Sequence, residues 1–354
     1  MAERLVLHIG LPKTGTTALQ HFLALNRDAL ARNGILYPEL QRSFVPWGQN
    51  GNGGVFLEAA CSLSDLPFCF DKELGTTKAD IEDALGRISS LAGEAETLII
   101  SEETMVWAII RSQGSRYIEA LRDTARSCSG AKDIDVLIYL RRQDEWAKSF
   151  WKQSVINVHP TTLGFKAWLS SSEPQGIFDY KKLVLRLEEV FGREHVIVRT
   201  YERGSFEGGD IFHDFLAALD IPWSGEYSSE GCWGLRSATL DAANGCRGLM
   251  KVFGKKLVAK ACFIQVYSEE FPDDSRLYPL DQSQRREFLD RYTAGNNWVA
   301  ARYLGRKSLF DSRIADDDVW SCAPIDTFRY ASLMLGMAAF RTLKQLAKKL
   351  VSRK

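Results

Sequence analysis

The sequence predicts an α/β protein built on a P-loop-like parallel sheet that is flanked by helices. Short apolar runs alternate with segments whose apolar residues recur every three to four positions, as in strands connected by helices. The first run, Leu5 to Ile9, is followed by a loop bounded by Gly10 and Gly15 and by a helical pattern from Thr16. A strand, a glycine loop and a helix N-terminus in this order form a cradle that binds phosphate groups.

Four later apolar runs are expected to add strands to the same sheet, with helices between them. Residues 40–76 lack a clear periodicity and include the glycine-rich stretch 47–54, so they are expected to form an irregular loop. Such a loop is either a functional lid or a surface excursion. The predicted strands are 34–38, 97–101, 133–140 and 195–201, and the predicted helices are 16–33, 77–92, 115–127, 143–157, 165–169, 181–191 and 211–219.

The pattern changes near residue 225, where strand signals fade and helical segments follow. These helices are predicted at 235–252, 282–304 and 326–351. The chain is therefore expected to have an α/β core, residues 1–224, and a helical C-terminal extension, residues 225–354, that packs on the core.

Composition limits the classes of function. The 354 residues include 45 Lys and Arg against 45 Asp and Glu, and this zero net charge argues against general nucleic-acid binding. The seven cysteines are an odd number without a Cys-x-x-Cys pair, which indicates reduced thiols and suggests no zinc site. The first strand starts close to Met1 and no apolar run could span a bilayer, so a cytoplasmic protein is expected.

The loop after the first strand departs from the Walker A pattern in an informative way. Gly10 and Gly15 have the Walker spacing, but Thr16 and Thr17 stand where that pattern has a lysine and a serine or threonine. The single lysine of the loop, Lys13, lies inside it. The loop is therefore expected to bind a phosphate-bearing ligand without the Mg-ATP arrangement of phosphoryl transfer.

A second anion-binding pattern lies at the fourth strand. This strand ends in Arg141 and Arg142, and Ser149 follows Arg141 by eight positions on the next predicted helix. Ligands bind at the carboxyl ends of strands in α/β sheets, and a guanidinium group offers forked donors to phosphate oxygens. A hydroxyl two helical turns further on can reach the same anion. Arg142 is either a second anion contact or a surface charge.

These two motifs resemble those of the sulfotransferases that use 3′-phosphoadenosine-5′-phosphosulfate (PAPS) as donor. Residues 11–17 resemble the loop that binds the 5′-phosphosulfate, and Arg141 with Ser149 matches the pair that holds the 3′-phosphate. The resemblance covers most of residues 4–220 and implies PAPS as cosubstrate, with no metal. The donor-binding residues that it implies are Pro12, Lys13, Thr14, Gly15, Thr16, Thr17, Arg141 and Ser149.

Sulfuryl transfer also requires catalytic groups. Charge that develops on the leaving phosphate must be stabilised, and Lys13 is the candidate for that role. Carbohydrate sulfotransferases of the heparan type use a glutamate just after a strand as base, and Glu102 holds that position here, with Glu103 as the alternative. One of the two acids is expected to act as base and the other to cap the next helix. His8 is expected to be a packed strand histidine.

The acceptor is expected to be a hydroxyl of a saccharide or glycolipid. Residues 285–305 resemble the C-terminal region of bacterial sulfotransferase-like proteins tied to surface polysaccharides, which implies a role in polysaccharide biosynthesis. The loop that closes over the 3′-phosphate in the cytosolic members has no match here. Residues 341–354 carry six basic and no acidic residues, so this segment either contacts an anionic membrane or forms a solvated terminal helix.

Two other functions remain open from the sequence. A P-loop kinase predicts a lysine after Gly15 and an aspartate at a strand end to organise Mg²⁺, whereas the sequence has Thr16 and Arg141 at these places. A non-catalytic nucleotide-binding protein with the same fold predicts donor binding without turnover. The oligomeric state is left open by the sequence.

Overall fold

The computed structural model describes residues 2–40, 51–67, 77–111, 115–155, 161–232, 238–254, 258, 274, 276–320, 332 and 336. The chain divides into two compact units. The first unit comprises Met1–Arg142, Gly176–Gly234 and Thr293–Asp311, and the second comprises Gln143–Gln175, Leu235–Tyr292 and Ser312–Lys354. Both units thus draw on residues before and after 225, and the linear boundary at 224/225 stays a prediction.

The first unit contains a five-stranded parallel sheet with the strand order β2-β3-β1-β4-β5, which confirms the predicted α/β class. From the central strand β1 the chain passes to the edge strand β2, returns to β3 beside β1, and then crosses to β4 and β5 on the other side. The loop after β1 therefore leaves the middle of the carboxyl edge. Ligands bind at this position in open α/β sheets. The strands are β1 (Arg4–His8), β2 (Ile35–Leu36), β3 (Thr97–Ser101), β4 (Asp133–Leu140) and β5 (Val196–Thr200).

Helices connect these strands. Most of them lie within one or two turns of the predicted ranges, and the predicted helix 326–351 lies outside the described residues except for positions 332 and 336. In chain order the helices are α1 (Thr16–Leu25), α2 (Arg27–Arg32), α3 (Gly54–Leu63), α4 (Lys78–Ala92), α5 (Thr104–Arg111), α6 (Arg116–Ser129), α7 (Gln143–Ser154), α8 (Phe165–Leu169), α9 (Ser172–Phe178), α10 (Tyr180–Phe191), α11 (Ile211–Ala217), α12 (Leu240–Phe253) and α13 (Gln282–Val299).

The core beneath the loop after β1 is aromatic. Side chains on one face of the sheet pack against α1, α2 and α11, because alternate strand residues point to the same face. Phe22 of α1 stacks on Phe212 of α11 with ring centroids 5.0 Å apart. Fully burying a side chain of this size contributes roughly 1.5–3 kcal/mol. The packing therefore fixes the direction in which α1 leaves the loop.

The first helix is shorter than predicted. A single helix over 16–33 was expected, but the structure separates α1 from α2 at Asn26. The Asn26 amide donates to the carbonyl oxygens of Phe22 and Ser228, and its own oxygen accepts from the Ser228 amide. Asn26 is thus held by a residue about 200 positions away, and helical periodicity carries no sign of this contact.

The expectation of an irregular segment over 40–76 was wrong for its central part. α3 occupies Gly54–Leu63, and its residues from Val55 to Leu57 and from Ala59 to Cys61 are buried. A helix that is apolar on nearly all sides shows no amphipathic period, so the pattern did not reveal it. Residues 41–50 and 68–76 lie outside the described part of the chain, and the lid hypothesis for them stays untested.

The second unit contains a buried cluster of ion pairs. Arg285 donates to Asp144 at 2.8 Å, to Glu145 at 3.0 Å and to Asp317 at 2.7 Å. Removing one partner from such a cluster leaves an uncompensated buried charge, which costs about 3–5 kcal/mol. Asp144 and Glu145 form the first turn of α7, so Arg285 fixes the start of that helix.

A small strand pair also belongs to the second unit. β6 (Leu277–Tyr278) pairs in parallel with β7 (Asp318–Val319). The prediction that the C-terminal part is entirely helical was therefore incomplete. Strands of two residues are too short to give a periodic signal.

Candidate active site

The loop between β1 and α1 is shaped by two residues with positive φ. Gly15 has φ 80° and Lys13 has φ 69°. A Cβ atom on Gly15 would lie 2.6 Å from Cδ1 of Ile211 and 3.0 Å from Cε2 of Tyr201. Only glycine combines that backbone conformation with so little space. Gly15 therefore allows the loop to turn directly into the first turn of α1.

The first turn of α1 offers groups that suit an anion. Among the described residues, the buried hydroxyl of Thr16 has no hydrogen-bond partner. A Cβ atom on Gly10 would lie 2.5 Å from the Oγ1 of Thr16, so the loop closes tightly around this hydroxyl. The helix begins at Gly15, which has no side chain to cap the first amides. Unpaired amides at a helix N-terminus bind phosphate and sulfate groups.

Other residues of the loop hold its shape. The hydroxyl of Thr14 donates to the carbonyl oxygen of Leu11 across the loop, and Thr14 is buried. Pro12 is also buried, whereas Thr17 is exposed. The contact of Thr14 thus indicates a structural role, whereas Thr16 and Thr17 stay candidates for contacts with a ligand.

Arg141 joins the second motif to the first. It follows the last residue of β4, and its guanidinium donates to the carbonyl oxygen of Lys13 at 3.0 Å. The same guanidinium lies 5.4 Å from the ring centroid of Tyr201. The carbonyl oxygen of Arg141 accepts a hydrogen bond from the hydroxyl of Tyr180. The structure therefore brings Arg141 and Lys13 together, as the two sequence motifs predicted.

The electrostatic setting of Lys13 involves both motifs and the acid pair. Burial lowers the pKa of Lys13, the positive charge of Arg141 lowers this pKa further, and the carboxylate of Glu103 raises it. Lys13 thus lies within electrostatic reach of both Arg141 and Glu103. Two cations beside a helix N-terminus favour an anionic ligand.

Glu102 and Glu103 follow β3, which neighbours β1 in the sheet. The amide of Glu102 donates to the carbonyl oxygen of His8 at 3.0 Å and so continues the pairing of these two strands. The carboxylate of Glu102 accepts from the amide of Thr104 at 3.1 Å, at the start of α5. Glu102 is buried and Glu103 is partly exposed. The expected capping role therefore falls on Glu102, and the choice of base stays a prediction.

Ser149 lies on α7, which belongs to the second unit, whereas Arg141 belongs to the first. Ser149 is buried, and its role as a partner of Arg141 in phosphate binding stays a prediction. Arg142 donates to the carbonyl oxygen of Asp311 at 3.2 Å, which is a contact of an exposed side chain. The choice between a second anion contact and a surface charge for Arg142 stays open.

Two tyrosines at the site were missed by the sequence analysis. Tyr201 packs against Gly15 and under Arg141, and Tyr180 binds the backbone of Arg141. Tyr201 comes directly after β5, at the same edge of the sheet as Arg141 and the loop. Its place at a strand end was the available signal, because the carboxyl ends of parallel strands converge.

His8 is a buried, uncharged residue below the loop. Its Nδ1 lies 2.8 Å from the hydroxyl of Ser101, and its ring lies edge-on to Phe215 at 5.3 Å. Burial lowers the pKa of His8 to about 3. These contacts agree with the expectation of a packed strand histidine and leave it unsuited to act as a base near neutral pH.

Stability should therefore depend on His8 below neutral pH. Under pH 6.5 an unfolded histidine takes up a proton, whereas folded His8 stays neutral until about pH 3. The free energy of unfolding should fall by up to about 1.4 kcal/mol per pH unit in this window because of His8. Urea unfolding at pH 7.5, 5.5 and 4.5 should show a weaker pH dependence for His8→Asn than for wild type. The partly exposed His21→Asn variant is the control, and equal slopes for His8→Asn and wild type would contradict the assignment.

The chain shares limited similarity with known proteins, and no protein-family model matches it. An uncharacterized protein of Archaeoglobus fulgidus is 36% identical over 98 residues, which are 27% of this chain and 25% of that protein. The sulfotransferase from Alicyclobacillus acidocaldarius has a TM-score of 0.41 at 18% identity, over 75% of this chain and 97% of that one. The sulfotransferase domain from the curacin biosynthetic pathway has a TM-score of 0.34 at 10% identity, over 64% and 76%.

Two further properties concern only the described ranges. No helix within them is long and apolar enough to cross a membrane. No group of three or more His, Cys, Asp or Glu side chains within them is arranged to hold a metal ion.

Proposed function

We propose that the protein is a PAPS-dependent sulfotransferase that transfers a sulfuryl group to a hydroxyl of a saccharide or glycolipid. The observation that carries this proposal is the junction of Lys13 with Arg141 beside the unpaired hydroxyl of Thr16. The loop carries its lysine inside, and it contacts an arginine that follows the neighbouring strand β4. Two cationic groups from separate elements suit a ligand with two separate phosphate groups. PAPS has this chemistry.

The residues present fit this donor. The amides at the start of α1 and the Thr16 hydroxyl would hold the 5′-phosphosulfate, and Arg141 would bind the 3′-phosphate. Thr17 and Ser149 are further donor contacts that the sequence resemblance implies. When bound, PAPS supplies an SO₃ group on a phosphate leaving group.

The catalytic roles follow from the charges around the loop. The Lys13 ammonium would stabilise the negative charge that develops on the bridging phosphate oxygen. Glu103 would accept the proton of the acceptor hydroxyl, because its carboxylate acts on Lys13 while Glu102 is engaged at α5. In this step the acceptor oxygen forms a bond to sulfur, the bond from sulfur to the phosphate oxygen breaks, and the acceptor proton passes to Glu103.

The saccharide acceptor and a place in polysaccharide biosynthesis rest on the sequence resemblance of residues 285–305. The basic segment 341–354, which would contact an anionic membrane, lies outside the described residues. We also propose that the protein acts in the cytoplasm, at the inner face of the membrane. Screening with oligosaccharide and glycolipid acceptors addresses these points once donor binding is established.

Donor binding is tested by thermal shift with 3′-phosphoadenosine-5′-phosphate (PAP), the desulfated product. A ligand at 100 times its Kd should stabilise the protein by about 2.7 kcal/mol, without any added metal. The Arg141→Ala variant should lose this stabilisation, because it lacks the proposed 3′-phosphate contact. The neighbouring Arg142→Ala variant is the matched control and should keep it.

The same titration distinguishes the proposed sulfotransferase from a P-loop kinase. A P-loop kinase should be stabilised by ATP with Mg²⁺ and not by PAP. Stabilisation by Mg-ATP alone would overturn the proposed function. Equal responses of Arg141→Ala and wild type to PAP would remove Arg141 from the donor site.

A further inference from the structure

Four buried polar side chains form a network behind the candidate active site. They come from β1, α1, the segment before α3 and the end of β3. Among the described residues, they reach each other through hydrogen bonds that centre on Ser101. The members of this Ser101 network are His8, Gln20, Asn52 and Ser101.

Ser101 is contacted on three sides. Its amide donates to Oδ1 of Asn52 at 2.8 Å, its hydroxyl lies 2.8 Å from Nδ1 of His8, and Gln20 donates to its carbonyl oxygen at 3.2 Å. These three contacts restrain both the backbone and the side chain of Ser101. Because Ser101 directly precedes Glu102, the network fixes the point from which the acid pair starts.

Asn52 takes the place of a strand at the edge of the sheet. β2 pairs with β3 only at Thr97 and Leu98. Further along β3, the Asn52 amide donates to the carbonyl oxygen of Ile99 at 3.0 Å, and its oxygen accepts from the Ser101 amide. One side chain thus pairs with two backbone groups of β3 beyond the residues that β2 pairs with. The same amide donates to the carbonyl oxygen of Pro38 at 3.1 Å, which ties the segment after β2 to this edge.

The residue after Asn52 contacts the acid pair itself. A Cβ atom on Gly53 would lie 2.5 Å from the Cβ of Glu102 and 2.9 Å from Cε of Met105. Gly53 therefore packs directly against Glu102, and any larger side chain would displace it. Asn52 fixes the backbone of Ser101, while Gly53 limits the position of Glu102.

We infer that Asn52, assisted by Gly53, is a positioning residue that sets the placement of Glu102 and Glu103 for proton transfer. This inference rests on the proposed function, in which Glu103 is the base. Within the described part of the chain, the hydrogen bonds of the network join its members to one another and to the backbone of Pro38 and Ile99, so we expect donor binding to depend little on it. Its loss should affect kcat and leave the affinity for PAP unchanged.

The test compares Asn52→Ala with Asn33→Ala as a matched control. Asn33 also donates through its side chain to a backbone carbonyl, that of Ala29 in α2, far from the acid pair in the sequence. Asn52→Ala should lower kcat by about 10–100-fold, since a small misplacement of a reacting group has effects of this size. The Kd for PAP should stay within about two-fold of wild type, as expected for a group that acts only on the chemical step.

Hydrogen exchange supplies a readout that does not need turnover. In Asn52→Ala the amides of a peptide covering 98–104 should exchange faster, because the Ser101 amide loses its acceptor. If Asn52→Ala does not fold, Gly53→Ala replaces it, since this variant keeps the Asn52 side chain and its added Cβ crowds Glu102 most closely, with Met105 next. It should show the same loss of kcat with unchanged PAP affinity.

The outcomes separate the two proposals. Wild type that neither binds PAP nor transfers a sulfuryl group would overturn the proposed function, and with it the catalytic role of Asn52. Active wild type with an unchanged kcat in Asn52→Ala or Gly53→Ala would overturn the positioning inference alone. Unchanged hydrogen exchange over 98–104 in Asn52→Ala would also overturn it, whatever the activity.

Discussion

Replacing Lys13 with methionine should lower kcat by about 10²–10³-fold, because a donor aimed at charge that develops only in the transition state is lost. Methionine keeps the length of the side chain and removes the ammonium group. Binding of PAP should weaken much less, since the loop amides and Arg141 remain. Steady-state kinetics with saturating donor gives kcat, and a PAP titration gives the Kd.

A matched control for this substitution is Lys166→Met, which removes an exposed lysine from α8. It should behave as wild type in both measurements. A Lys13→Met variant with wild-type kcat would contradict the role of the loop lysine. A variant that loses PAP affinity and kcat in equal proportion would indicate a lysine that only binds the donor.

The ionisation of Lys13 gives an independent check through the pH dependence of PAP binding. Burial and Arg141 lower the Lys13 pKa, and the Glu103 carboxylate raises it. The ammonium is lost as pH rises through this pKa, so PAP affinity should decline on the alkaline side at a lower pH than for an exposed lysine. Glu103→Gln should move that decline to still lower pH. Lys13→Arg should abolish it, because a guanidinium does not titrate in this range.

The second large effect concerns the base. Glu103→Gln should lower kcat by about 10²–10⁴-fold, the range that general-base catalysis contributes. Glutamine has the same shape and cannot accept the proton of the acceptor hydroxyl. The PAP affinity of this variant near neutral pH should stay close to that of wild type, since Arg141 and the loop hold the donor.

Glu102→Gln is the matched comparison for this prediction. A glutamine at 102 keeps an oxygen that can accept from the Thr104 amide, so the start of α5 should stay intact. Its kcat should therefore exceed that of Glu103→Gln by at least about ten-fold. The reverse order would return the base to Glu102, the first choice from the sequence. Wild-type kcat in both variants would leave neither acid as the base.

The sequence predicted the central strands closely. β3 and β4 have the boundaries expected from their apolar runs, since both are buried between helices and their limits coincide with changes in polarity. Arg141 contacts the loop after β1, in agreement with their assignment to one ligand site, while anion binding by either stays a prediction. In this part of the chain, the hydrophobic pattern predicts the strands, and the residue types at their ends predict which side chains lie close together.

Other features depend on contacts between distant segments. The break at Asn26 involves Ser228, and the packing of Tyr201 on Gly15 joins β5 to the loop after β1. The side-chain pairing of Asn52 with β3 has no periodic pattern, since a single residue replaces a strand. Contacts between segments far apart in the sequence determine these positions, and local sequence patterns do not reveal such contacts.

The short β2 also bears on whether the edge of β3 can pair with a strand of another molecule. A strand edge with free amides and carbonyls is a template for pairing with a strand of a second molecule. β3 would be prone to this, because Thr97 to Ser101 contains no charge, proline or glycine. Asn52 occupies the carbonyl of Ile99 and the amide of Ser101, so the outer edge of β3 is closed where β2 ends. The same asparagine thus protects the strand from intermolecular β-pairing.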